Sequence, residues 1–98
     1  MIERLKREKA TIMVVEDDPT TEQSLIDCLS DLGNVVTFSN AENALNFVSR
    51  GGRVDLVIAD IVLGQMNGIE LCERLSEHFS GDQFVPVLFY SAFADSSM

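Results

Sequence analysis

Arg53-Val54-Asp55-Leu56-Val57-Ile58-Ala59-Asp60-Ile61-Val62-Leu63-Gly64-Gln65-Met66-Asn67-Gly68 is the stretch that decides the fold. It runs an apolar segment directly into a carboxylate and then into a glycine-bearing loop. Apolar runs of this length bounded by polar residues read as strands buried on both faces, which belong in parallel sheets covered by helices. In open sheets of that kind ligands bind beyond the carboxyl ends of the strands, and Asp60 stands at such an end. The turn with Asn67-Gly68 then leaves freedom for a close backbone approach.

Working outward, Thr11-Ile12-Met13-Val14-Val15 upstream is a short branched run ending in Glu16-Asp17-Asp18-Pro19. It reads as a buried first strand. Asp18 before Pro19 is an N-cap with proline at the first helical position, and Glu22 adds negative charge in the first turn. A helix is expected over about 19–32, with Leu25, Cys28, Leu29 and Leu32 on its apolar face and Gly33 as terminator. Asn34 to Phe38 reads as a second strand, and Ser39-Asn40 caps a helix with Ala41, Ala44, Leu45 and Val48 on one side. Gly51-Gly52 ends that helix. After the central stretch a third helix places Leu71, Cys72, Leu75 and Phe79 on one face, leaving Glu70, Glu73, Arg74 and Glu77 to water. Val85-Pro86-Val87-Leu88-Phe89-Tyr90 is a fourth apolar run, with Pro86 at its start, where a missing donor does least harm. Alternation of strand and helix with short connections calls for a mainly parallel sheet between helices.

The 98 residues fit one small domain, preceded by a basic leader over residues 1–10, with the domain itself over 11–98. Arg4, Lys6, Arg7 and Lys9 in that leader read as a solvated helix or tail rather than a phosphate-binding arm. Sixteen acidic against 7 basic residues give a formal charge of -9, which disfavours direct nucleic-acid binding and suits a cationic partner or metal. The apolar runs are too short for a membrane span, so a cytoplasmic location is expected. Cys28 and Cys72 read as buried apolar residues rather than a disulfide. His78, near a helix end, is assigned no role.

Glu16 and Asp17, then Asp60, then Ser91 end the first, third and fourth strands. Adjacent parallel strands would bring these groups together, and converging carboxylates repel. A hard divalent cation such as Mg2+ removes that conflict with oxygen ligands and would align a phosphoryl group with an attacking carboxylate. Asp18, by contrast, reads as a helix cap.

The three motifs, Val14-Val15-Glu16-Asp17-Asp18-Pro19, Asp55 to Asp60 with Leu63, Met66 and Gly68, and Pro86 to Ala92, together resemble the response-regulator receiver domain of two-component signalling. The resemblance covers residues 11 to about 95. It implies a flavodoxin-like, three-layer α/β/α fold with a doubly wound parallel sheet in the order 2-1-3-4. It also implies that Asp60 is the phosphoacceptor, served by a phosphohistidine on a partner histidine kinase or phosphotransfer protein. Glu16 and Asp17 match the acidic pair that holds Mg2+ with Asp60, and Asp17 is the direct ligand of that pair. Asp18 stands in for Glu16 if the register slips by one. Val62 matches the position whose backbone carbonyl serves the ion. Ser91 matches the hydroxyl switch residue and Ala92 its small neighbour.

Gly64 stands where the family commonly has proline, which should loosen the loop after Asp60. The resemblance further implies a fifth strand, closing helices and a phosphate-contacting lysine. No lysine follows Lys9 in these 98 residues, and the fourth strand is then expected to be an apolar edge prone to self-association. The leading reading is a phosphoaccepting switch, not a turnover enzyme. The alternative is an incomplete receiver acting as an interaction or dimerisation module with impaired switching. A hydrolase of the haloacid-dehalogenase type would want an acid two positions after the nucleophile, where Val62 stands.

Overall fold

The computed structural model describes residues 10–63, 66–79 and 84–90. Residues 1–9 of the expected leader, the Ser91 and Ala92 switch pair and Gly64 lie outside the described residues. Strand β1 (Ala10–Val15) is followed by helix α1 (Pro19–Leu29), β2 (Gly33–Phe38), α2 (Ala41–Ser49), β3 (Leu56–Asp60), α3 (Gly68–Ser76) and β4 (Val87–Tyr90). The strands form one parallel sheet in the order β2-β1-β3-β4. Strand β1 begins at Ala10, inside the span expected to be leader, because Ala10 pairs with Gly33 on β2.

Alternation along the central strands divides the core in two. Met13 and Val15 on β1 and Val57 and Ala59 on β3 point to one face. There they pack with Ala41, Ala44 and Val48 of α2, with Leu71 and Leu75 of α3, and with Val54 and Leu63. Ile12, Val14 and Ile58 point to the other face, beneath Leu25 and Leu29 of α1 and the ring of Tyr90. The result is a three-layer flavodoxin-like arrangement with helices on both sides of the sheet.

Each helix begins on a side-chain cap that satisfies an orphan amide. Asp18 Oδ2 accepts from the Thr21 amide (2.9 Å) and from its hydroxyl (2.7 Å). Asn40 Oδ1 accepts from the Asn43 amide (2.8 Å) and Asn67 Oδ1 from the Glu70 amide (2.7 Å). Helix α2 stops where Gly51 takes a left-handed φ of 92°. At the far end of the sheet, Asp55 ties the start of β3 to β1: its Oδ2 accepts from the Thr11 amide, and its own amide donates to Thr11 O, each at 2.8 Å.

Three expectations need correction. Helix α1 ends at Leu29 with Ser30 as its cap, three residues short of the expected end, and Leu32 is 67% exposed. Gly33 does not terminate the helix; it opens β2, where a Cβ would lie 2.4 Å from Ala10 O, so its role is close strand approach. Cys28 is exposed and Cys72 half-buried, so neither is the buried apolar residue expected. Cys28 faces solvent because α1 turns only a narrow stripe, centred on Leu25 and Leu29, toward the sheet.

Candidate functional site: an acidic cluster at the strand ends

Register builds the site. Val15 of β1 lies opposite Ala59 of β3, so the next residues along each strand, Glu16 and Asp60, stand side by side. Asp60 in turn lies opposite Tyr90 of β4. Glu16, Asp17 and Asp60 each place a carboxylate oxygen within 4.8 Å of the others. Glu16 and Asp60 are only 1% and 4% exposed, whereas Asp17 is open to solvent.

Backbone donors orient both buried acids. Glu16 Oε2 accepts from the Asp18 amide at 2.9 Å, and Asp60 Oδ1 accepts from the Val62 amide at 3.1 Å. The Ile61 amide donates to Tyr90 O and the Gly68 amide to Ile61 O, both at 2.8 Å, which fastens the loop after β3 to β4 and to the start of α3. Gly68 is required here: a Cβ would come within 2.7 Å of Asp60 O and 3.0 Å of the Phe89 ring.

The residues suit a hard cation. Ion pairs among the described residues join Arg53 to Asp55 and Arg74 to Glu70, away from the cluster. Two carboxylates about 5 Å apart repel by roughly 3 kcal/mol at an effective dielectric of about 20, and a divalent cation with oxygen ligands offsets that repulsion.

Of the residues expected at the site, Glu16, Asp17 and Asp60 converge, and Val62 lies beside them. Asp18 serves as a helix cap, and its carboxyl is held below the usual carboxylate range by the Thr21 hydroxyl and then the Thr21 amide. His78 is exposed.

One member of the site escaped the sequence reading. The Tyr90 hydroxyl donates to Glu16 Oε1, reaching across β3 from β4 to the end of β1. Burial, then the bond to Glu16, then the charges of Glu16, Asp60 and Asp17 push the phenol well above the ordinary tyrosine value, so it remains a protonated donor. The available signal was its place as the final residue of the apolar run beside β3, which sets it level with Asp60.

A parallel 2-1-3-4 sheet between helices, with two acids after β1 and one closing β3, defines a flavodoxin-like protein with an acidic site at its strand ends. The chain belongs to the response regulator receiver domain family, whose model matches residues 12–98. The heme response regulator HssR from Staphylococcus saprophyticus is 32% identical over 83 residues, covering 84% of this chain and 35% of that protein. This chain thus spans about a third of that relative's length. The N-terminal domain of a response regulator/sensory box/GGDEF 3-domain protein from Carboxydothermus hydrogenoformans superposes with a TM-score of 0.75 at 27% identity, over 90% of this chain and 69% of that one. The BeF3-activated DrrB receiver domain gives 0.69 at 28% identity, over 92% and 73%. No described helix is long and apolar enough to cross a membrane.

Proposed function

We propose that Asp60 accepts a phosphoryl group from a phosphohistidine on a partner histidine kinase or phosphotransfer protein, in a cytoplasmic phosphorelay that requires Mg2+. The observation that carries this reading is the convergence of buried Asp60 with Glu16 and Asp17 at the strand ends. The bond from the Val62 amide to Asp60 Oδ1 orients the carboxylate and leaves the second oxygen as the nucleophile. That oxygen forms a bond to phosphorus as the phosphorus–nitrogen bond to the donor imidazole breaks, and the freed nitrogen keeps the electron pair. Asp17, Asp60 and the Val62 carbonyl are the groups to hold the cation, with Glu16 alongside. When bound, the cation supplies positive charge for the phosphoryl oxygens. The chain acts as a switch loaded once per signal rather than as a turnover enzyme, with Ser91 and Ala92 reading the phosphoryl group. The BeF3-activated DrrB relative supports the reading, since beryllofluoride on a carboxylate imitates a phosphoryl group.

Incubation with acetyl phosphate and Mg2+ is expected to add one phosphoryl group by intact mass, and Asp60→Asn is expected to abolish the addition. Full labelling of Asp60→Asn would sink the assignment.

Among the described residues β4 is an edge strand whose Leu88 and Phe89 are exposed on opposite faces, which favours a second role in edge-to-edge association. Sedimentation velocity over a range of concentrations is expected to show dimers, and a monomer at the highest concentration would exclude them.

A further inference from the structure

Both oxygens of Glu16 already carry protein donors: the Asp18 amide on Oε2 and the Tyr90 hydroxyl on Oε1. The two differ in kind. The Asp18 amide is fixed by the turn that starts α1. The hydroxyl sits at the end of a side chain that spans the width of β3, and its proton can turn away from Oε1 by rotation about the phenolic C–O bond. A cation approaching Oε1 meets the positive end of the O–H dipole, so donor and cation compete for the same lone-pair region.

The tyrosine ring packs against Ile12, Val14 and Ile58. Its hydroxyl is therefore delivered from a well-packed body, and loss of the hydroxyl alone leaves that packing in place.

We propose that Tyr90 is a positioning residue that occupies the Glu16 carboxylate in the cation-free protein and must release it before a divalent cation can use Glu16, directly or through water. The proposal rests on the cation-binding part of the preceding reading. Its consequence is a link from the acidic cluster to the end of β4: cation uptake breaks the hydroxyl's tie to the end of β1, while the ring keeps its packing against Ile12, Val14 and Ile58. Tyr90 thereby lowers cation affinity and makes the site responsive to cation concentration.

The chain contains one tyrosine and no tryptophan, so its intrinsic emission reports Tyr90 alone. A phenol bonded to a carboxylate emits weakly because the excited state loses its proton to the acceptor. Mg2+ titration of the protein is expected to raise the emission, with the midpoint found by calorimetry. Tyr90→Phe is expected to bind Mg2+ about three- to tenfold more tightly, the worth of one lost competing hydrogen bond. Glu16→Gln is expected to emit more strongly than the wild type without Mg2+, and this comparison decides the matter if Tyr90→Phe fails to fold by circular dichroism.

Flat emission through calorimetric saturation, unchanged or weaker Mg2+ binding in folded Tyr90→Phe, or equal emission from Glu16→Gln and wild type would each overturn the proposal. No Mg2+ binding by any form would overturn both this proposal and the cation-dependent function. Mg2+ binding and Asp60 phosphorylation with flat emission would remove this proposal alone.

Discussion

The two faces of the sheet are built differently. On one, α2 and α3 seal a continuous cluster in which Met13, Ala44, Val57, Ala59 and Leu71 are wholly buried. On the other, among the described residues, α1 covers Ile12, Val14 and Ile58 without burying any of its own side chains fully. The acidic site continues the second face. Glu16 follows Ile12 and Val14 at the two-residue period, and Asp60 follows Ile58. Tyr90 packs against the same three apolar residues. One face thus supplies the bulk of the burial, and the more thinly covered one leads into the acids. A thinly covered layer opens locally at a lower free energy than a sealed one.

The sharpest way to break this contrast is to remove the same side chain from each face. Leu75→Ala in α3 is expected to cost about 2–5 kcal/mol, since it opens a cavity in a closed core. Leu25→Ala in α1 is expected to cost about 1 kcal/mol, because Leu25 is only partly buried and its loss opens no closed cavity. Urea unfolding measures both; equal losses would erase the distinction between the faces.

The smallest expected effect concerns the cap of α1. The carboxyl of Asp18 is lowered by the Thr21 hydroxyl and amide, so its ionised form is favoured in the folded state. The contribution is complete above the ordinary aspartate value of about 4 and disappears as pH falls through the lower folded value. The gap in Tm between wild type and Asp18→Ala should therefore hold steady from neutral pH to about pH 5 and close only as the pH falls below the ordinary aspartate value. A gap that persists at the acid end would mean that the cap acts through something other than the charged carboxylate.

Much of this architecture was legible in the chain because the central strands are buried on both faces and leave unbroken apolar runs. The caps at Asp18 and Asn40 were equally open to reading, since short polar side chains before an apolar period have few other uses, whereas Asn67 read as a turn residue and proves to cap α3 as well. The end of α1 was not. Leu32 extends the helical period, but Gly33 must start β2 so that its backbone can pass Ala10, and tertiary pairing overrides the pattern. The convergence of Glu16, Asp17 and Asp60 followed from adjacent strand ends. The Tyr90 bond did not, because a phenol crossing an entire strand depends on register and rotamer, neither of which a linear pattern encodes.

Gly68 opens α3 although glycine is among the poorest helix formers, about 1 kcal/mol worse than alanine within a helix. A protein engineer scoring this position by propensity would replace it first. The outcome would be a better helix on a displaced acid, because the added methyl would press on the carbonyl of Asp60 itself. Position 68 is thus a place where helix propensity and tertiary packing pull in opposite directions, and the contact with backbone decides the sign. In a library of variants, a loss of stability where propensity forecasts a gain would mark the crowded strand end without any knowledge of its chemistry.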